Sequence, residues 1–258
     1  MRNSLRMFYW FIAQQLGFDP LRLMRTVKNF PGFIVDWLRF MRVSKDPVSL
    51  FPCLQDRGSE GGVVRNEYFW QDLYVARKIH EANPRKHVDI GSRVDGFIAH
   101  LASFRTVEVI DIRPIDVAIP GVRFRQADVM SARYSAQGDC DSLSCLHALE
   151  HFGLGRYGDP IHGLGYALGF ANMTKHLRAG GVFYLSVPLG RQRVEFNGQR
   201  IFAPKTILKL AEDNSMDLVE FAWVAPERGI VEVVDLCAEI DDFAHADYRL
   251  GIFRFVKK

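Results

Sequence analysis

The densest group of chemically capable residues lies in one short segment, 147–159, which reads HALEHFGLGRYGD. His147, Glu150, His151, Arg156, Tyr157 and Asp159 fall there among three glycines. A histidine titrates near neutral pH and can take a proton from a reacting hydroxyl, and a neighbouring carboxylate can fix its tautomer. Surface loops seldom concentrate such side chains without a task. Upstream, acidic residues recur where apolar runs end. Asp89 lies in the run 87–90 before Gly91-Ser92-Arg93-Val94-Asp95-Gly96; Asp111 closes the run 107–110; Asp128 follows the run around Phe124. A carboxylate at such an end accepts both hydroxyls of a ribose. Glycine lets a ligand approach the backbone, and a helix that follows offers free N–H groups to a carboxylate or phosphate.

Two other motifs fail on their surroundings. His-x-x-Glu-His at 147–151 matches a reversed zinc-protease helix, but Gly153 and Gly155 interrupt a helix that would present both histidines, and no third ligand is marked. The Gly91-x4-Gly96 spacing mimics half of a phosphate-binding loop, yet Phe97-Ile98 stand where Lys and Ser or Thr are required. For Asp111 and Asp128 the plain alternative is an aspartate capping its own turn.

Strands must hold these residues. Apolar segments are expected at 87–90, 107–110, around 124, at 142–146 and at 182–188, with a helix closing at 177–181 before the fifth. A helix is expected from Asn66 to just before Pro84, with Tyr68, Phe69, Leu73, Ala76 and Ile79 as its apolar stripe. Later come a loop at 190–200, a helix at 204–212, and strands at 216–224 and 250–256. Strands alternating with helical segments predict a parallel sheet with right-handed crossovers. The second crossover is poorly marked, because 113–122 holds two prolines.

With 258 residues, 48% of them hydrophobic, the chain is long enough to bury a large core. A net charge of +3 gives no case for nucleic acid. The charge is uneven: residues 1–45 carry eight cations (Arg2 and Arg6 among them) and two acids, so the remainder is net acidic. This block, expected to be helical with breaks near Asp19-Pro20 and Pro31-Gly32, interleaves its cations with aromatics. It suits an amphipathic segment on an anionic membrane face, or a helical lid or subunit contact that buries the aromatics. Residues 46–65 read as a linker and 66–258 as the α/β domain. The four cysteines have no metal or redox spacing and read as reduced thiols. No apolar run approaches a membrane span, and the expected location is cytoplasmic, with peripheral contact at the inner face of the membrane through residues 1–45.

The segments 89–113, 143–161 and 183–202, with the terminal Gly251-Ile-Phe-Arg-Phe, resemble the methyltransferase-like family catalogued as domain of unknown function 268, within the class I S-adenosylmethionine (SAM) methyltransferases. The resemblance implies an α/β Rossmann-like sheet, mostly parallel with an antiparallel last strand, helices on both faces and an N-terminal helical extension. It implies SAM as cofactor, held by Asp89, Gly91, Ser92, Gly96, Asp111, Ile112, Asp128, Val129 and His147. Members are often linked with cell-surface polysaccharide loci, so the expected reaction is methyl transfer to a sugar or glycan-related hydroxyl. His151 is the expected base, with His147 second, Asp159 as an orienting or alternative base, and Glu150 fixing the histidine tautomer. Glu150, Arg156, Tyr157, Arg191, Arg193 and Asn197 would face the acceptor. Arginine forks suit an acidic one, unless they simply pair with Glu195. The usual turn has glycine at every second position, and Arg93 breaks that pattern. A scaffold or regulator of glycan assembly, shaped like a methyltransferase but without catalysis, is therefore the second expectation. A nicotinamide-dependent enzyme would also use Asp111, but the missing third glycine counts against it.

Overall fold

Short apolar runs ended by glycine, aspartate or proline become strands, because pairing satisfies their backbone while both faces are buried. A computed structural model describes residues 7–258 except 60, 63, 65, 137 and 226, and not the side chains of 236–238. Arg2 and Arg6 of the basic block lie outside the described residues. The chain divides into two units, 1–63 and 64–258. Most of the segment read as a linker thus travels with the N-terminal block.

In the first unit, α1 (Pro20–Met41) starts where expected. Asp19 accepts from the N–H groups of Leu21 and Arg22, and Pro20 fills the first turn, where its missing donor costs nothing. The break expected at Pro31 does not occur; the helix runs through it. Proline there removes one backbone bond, and the turns on either side still close their own.

In the second unit, α2 (Glu67–Ala82) is capped by Asn66 and ends at Asn83 in the left-handed conformation, just before Pro84. Then follow β1 (His87–Ile90), a helical stretch α3 over 94–102, β2 (Val107–Asp111), β3 (Val122–Gln126), β4 (Cys140–Leu146), α4 (Gly165–Thr174) and β5 (Leu177–Leu189). A two-stranded hairpin comes next, β6 (Arg193–Glu195) and β7 (Gln199–Ile201), where a loop was expected; three-residue strands are too short to show an alternation. The chain closes with α5 (Pro204–Asp213), β8 (Met216–Ala225), β9 (Gly229–Val233), α6 (Leu236–His245) and β10 (Arg249–Lys257). The main sheet has the order β3-β2-β1-β4-β5-β10-β8-β9. The first five strands pair in parallel, and β10 is inserted antiparallel between β5 and β8. This is the expected Rossmann-like architecture. The poorly marked crossover between β2 and β3 carries no helix.

Strand alternation builds two cores. On one face Phe183, Leu185, Phe253 and Phe255 pack with Phe170 and Met173 of α4 and Ile207 of α5. On the other, Tyr184, Leu250 and Ile252 pack with Val75 and Ile79 of α2 and Phe97 and Leu101 of α3. Parallel strands all end on one edge, so residues 91–96, 112, 127–128 and 147–151 come to the same side of the sheet. Phe183 is fully buried, with ring centroids 5.5 Å from Phe170 and 6.4 Å from Phe255. Phe183→Ala should therefore lower unfolding stability by about 3–5 kcal/mol, read from the midpoint of a urea titration; a change under about 1 kcal/mol would contradict this packing.

Candidate active site

A buried carboxylate organises the first strand tip. Asp89 is fully buried. It accepts from the Ser92 N–H at 3.1 Å, the Ser92 hydroxyl at 2.6 Å and the Ser144 hydroxyl of β4. Burial lifts its pKa to about 7 against those bonds. Ser92 Oγ in turn accepts from the Leu146 N–H at 3.1 Å, which ties the turn after β1 to the end of β4. Beneath lies His87, pushed down to about 3 by burial and hence neutral, with its ring nitrogens 2.8 Å from Ser142 Oγ and 3.0 Å from Ser144 Oγ. Ser144 donates to Asp89, so it accepts from His87 Nε2–H, and Ser142 donates to Nδ1. Ser92 thus serves the turn itself rather than presenting its hydroxyl outward.

Gly91 stands at φ +71°, and a Cβ there would meet the Ala148 Cβ at 3.0 Å. The turn can therefore be built only around a residue without a side chain. Gly96 has a different duty from the one expected: a Cβ would come 2.5 Å from the Asp72 carboxylate of α2. It lets α2 and α3 approach each other. Arg93 is half-exposed, donates to Asp95 at 3.1 and 2.7 Å, and lies over the Tyr68 ring at 5.0 Å. Such an exposed pair holds by at most ~1 kcal/mol, so Arg93 is free to swing.

At the second tip, both oxygens of Asp111 are engaged by Arg113: Nε at 3.0 Å and the backbone N–H at 2.8 Å on one, Nη2 at 2.6 Å on the other. The same guanidinium covers the Tyr157 ring at 4.5 Å. Ile112 is half-buried beside it. At the third tip Asp128 caps its own turn, accepting from the Met130 N–H at 2.8 Å. Val129 belongs to the buried core.

The segment after β4 is the most constrained. His147 takes φ +52°, a left-handed conformation unusual for a residue with a Cβ. Its N–H donates at 3.1 Å to the carbonyl and to the hydroxyl of Ser186, which itself donates to Gln71 of α2. Its Nδ1 lies 2.7 Å from Oε1 of fully buried Glu150, and its Nε2 lies 3.3 Å from Glu67 Oε1, off the hydrogen-bonding direction. Burial disfavours the imidazolium, but Glu150 and Glu67 outweigh it and raise the pKa to about 9. His147 is therefore a cation at neutral pH, unsuited to accept a proton. His151 differs. Burial, helped by Arg156, outweighs Glu150 and holds it below its ordinary value. Its Nδ1–H donates to the Gly198 carbonyl at 2.7 Å, which leaves Nε2 as the free basic nitrogen. Glu150 Oε1 is 3.7 Å from that Nε2, so the hairpin carbonyl fixes the His151 tautomer, and Glu150 is committed to His147.

Similarity to known proteins agrees with this geometry. Residues 123–229 match the family described as "Caenorhabditis protein of unknown function, DUF268". No curated protein matches the chain. Among solved structures, the 1,6-didemethyltoxoflavin N1-methyltransferase of Burkholderia thailandensis is similar at 15% identity and TM-score 0.53, covering 76% of this chain and 80% of that one. The N-methyltransferase NodS of Bradyrhizobium japonicum is similar at 17% identity and TM-score 0.51, covering 74% and 97%. Residues 123–229 are similar to DUF268, and the fold is the one these solved methyltransferases share.

Several expected site residues turn to structural work. Asp159 accepts from the N–H groups of Gly153, Gly155 and Tyr157 at 2.8, 3.1 and 3.2 Å, so it shapes the loop and leaves no oxygen poised as a base. Arg193 pairs with Glu195 at 2.9 Å, the plain alternative for these arginines. Arg191 and Asn197 are exposed. Arg156 donates to the Gly198 carbonyl at 2.8 Å and covers Tyr157, so it supports His151 from outside. Glu150 is fully buried, its Oε2 included, and meets no acceptor; that oxygen has no hydrogen-bond partner.

Sequence reasoning passed over Glu67, Gln71, Asp72, Ser186, Arg113 and Tyr248. The last donates to Glu67 at 2.7 Å. A signal existed in α2: Gln71 and Asp72 sit on the face that Val75, Ala76 and Ile79 bury, whereas Phe69 and Leu73 of the expected stripe are exposed. Polar residues on a buried helix face need partners, and these face the strand tips.

The His147–Glu150 pair sets a pH dependence. A folded-state pKa near 9 lies above the unfolded value of ~6.5. The pair's stabilisation is therefore complete below ~6.5 and is lost as pH rises through about 9. In Glu150→Gln the His147 resonance, followed by NMR, should titrate at least one unit lower; an unchanged midpoint would contradict the pairing.

Proposed function

We propose that the protein transfers a methyl group from SAM to a hydroxyl of a sugar or glycan-related acceptor. One observation carries the cofactor side. The two N–H prongs of Arg113 hold the two oxygens of Asp111 as the two hydroxyls of a ribose would. The turn at Gly91, which carries no side chain, lies on the same edge. Solved neighbours on this fold support the reading: one NodS structure, TM-score 0.50 and 13% identical, is in complex with S-adenosylhomocysteine, and a geranyl diphosphate methyltransferase, also 0.50 and 13%, is in complex with SAM.

When bound, SAM supplies an electrophilic methyl group on a sulfonium. Asp111 would hold the ribose once Arg113 turns away, and the Gly91 turn would lie along the methionine portion. Asp89 acts through the turn it holds and touches no ligand. His151 would accept the acceptor's hydroxyl proton at Nε2 as the carbon–oxygen bond forms and the methyl–sulfur bond breaks, S-adenosylhomocysteine being the leaving group, and the Gly198 carbonyl, by accepting from Nδ1–H, keeps that nitrogen unprotonated. Cationic His147, with Glu150 and Glu67, fixes the corner from which His151 projects. Most of the acceleration would come from holding the hydroxyl in line with the methyl group. The glycan class of the acceptor rests on the family resemblance.

Incubation with methyl-labelled SAM and a cell-envelope extract should place label in a polysaccharide fraction. His151→Ala should lower that rate about 10²–10⁴-fold, while its affinity for S-adenosylhomocysteine stays within about twofold. Folded protein that labels nothing would favour the scaffold reading. Label transferred equally by His151→Ala would reject His151 as the base.

Arg113 provides a second test. The Asp111–Arg113 pair is partly exposed and should cost a ribose no more than ~1 kcal/mol to displace. Arg113→Ala should therefore lower the KM for SAM about fivefold; a rise would mean that Arg113 itself holds the donor.

A further inference from the structure

We propose that α1 lies on an anionic lipid surface, parallel to it, with its apolar stripe in the headgroup layer. This inference is independent of the methyl-transfer reading. None of the residues of α1 is buried. Its apolar side chains still follow helical spacing. Leu23, Met24, Val27, Phe30, Leu38 and Met41 fall on one side, each 48–65% exposed. Arg22, Arg25, Lys28 and Arg39 fall on the rest of the circumference.

The return segment of the same unit shows which side needs a partner. Gln55 donates to Thr26 Oγ1 at 2.6 Å and to the Arg22 carbonyl at 3.1 Å. Asn29 donates to the Leu54 carbonyl at 2.8 Å, and Arg57 pairs with Asp36 at 2.6 Å. Arg22, Asn29 and Asp36 lie on the polar side, and Thr26 borders the stripe beside Phe30. The return segment therefore covers mainly the polar side, leaving Leu23, Met24, Val27, Phe30, Leu38 and Met41 exposed while Phe33, Ile34 and Trp37 are half-buried. Just upstream, Trp10, Phe11 and Phe18 are also exposed, at 50–55%.

Charge decides between lipid and a second copy. Two copies meeting along their stripes would bring bordering cations together, and the one acid in α1, Asp36, already serves Arg57. Cations flanking an apolar stripe instead match phosphate headgroups above acyl chains. No helix among the described residues is long and apolar enough to cross a membrane, so the geometry fits a helix lying on the surface.

The test is flotation of the full chain with vesicles of phosphatidylcholine alone and of phosphatidylcholine with phosphatidylserine. Binding should appear only with the anionic lipid and weaken with salt. Each cation near the surface contributes about fivefold, so Arg25→Glu, Lys28→Glu and Arg39→Glu together should weaken it by about 100-fold or more. Val27→Ser with Leu38→Ser should weaken it without altering the salt dependence. An unchanged circular dichroism spectrum would show that each variant still folds. Equal binding to neutral vesicles, binding that survives charge reversal, or no binding at all would overturn the proposal. So would sedimentation equilibrium showing a dimer that Leu38→Ser disperses.

Discussion

Everything at the strand edge depends on one buried carboxylate. Asp89 is held by three donors from two segments. Through Ser92 it fixes the turn after β1, and through Ser144 and the Leu146 N–H it fixes where β4 ends. A buried carboxylate is costly unless its oxygens are satisfied, so this arrangement leaves little freedom in the relative position of the two strand tips. The glycine turn, the left-handed corner at His147 and the loop beyond it inherit that register.

The corner is a second expenditure on polar burial. His147 adopts a conformation that a residue with a Cβ avoids, at a cost of order 1–3 kcal/mol. It keeps it because its N–H, its Nδ1 and its ring face are all engaged, by Ser186, Glu150 and Tyr68 at a centroid distance of 4.7 Å. The consequence is a division of labour between two histidines four residues apart. One is held charged by carboxylates. The other is held neutral by burial, with its hydrogen on a backbone carbonyl. Environments that push two like groups apart in pKa are how a site assigns separate roles to them.

The strand framework was legible in the chain because apolar runs punctuated by glycine and aspartate carry both the strand and its end. Strands β1, β2, β4, β8 and β10 and the antiparallel insertion follow that signal, as does β5 from Val182; its first residues, 177–181, read as the close of a helix that in fact ends at Thr174. The short hairpin β6–β7 escaped it, being three residues a side, yet it supplies the carbonyl that orients His151. The site was legible as a set of segments and much less as a set of roles. Asp159 looked like a base and is spent on three backbone donors, and Glu150, read as fixing a histidine tautomer, is bound to His147 while a backbone carbonyl orients His151. Such assignments depend on which of several nearby polar groups lies a few tenths of an ångström closer, which residue types and spacing do not encode. Helix α2 was read as a core helix by its apolar positions, and its buried Gln71 and Asp72 were the unused clue.

The central claim is that a single buried node aligns the strand tips into a site for an adenosyl cofactor. Isothermal titration of S-adenosylhomocysteine into the intact chain and into Asp89→Ala tests it most directly. The account predicts one-to-one binding by the intact chain and a loss of at least tenfold in affinity in Asp89→Ala that still unfolds cooperatively. No heat of binding in the folded intact chain, or equal affinity in the two proteins, would contradict it.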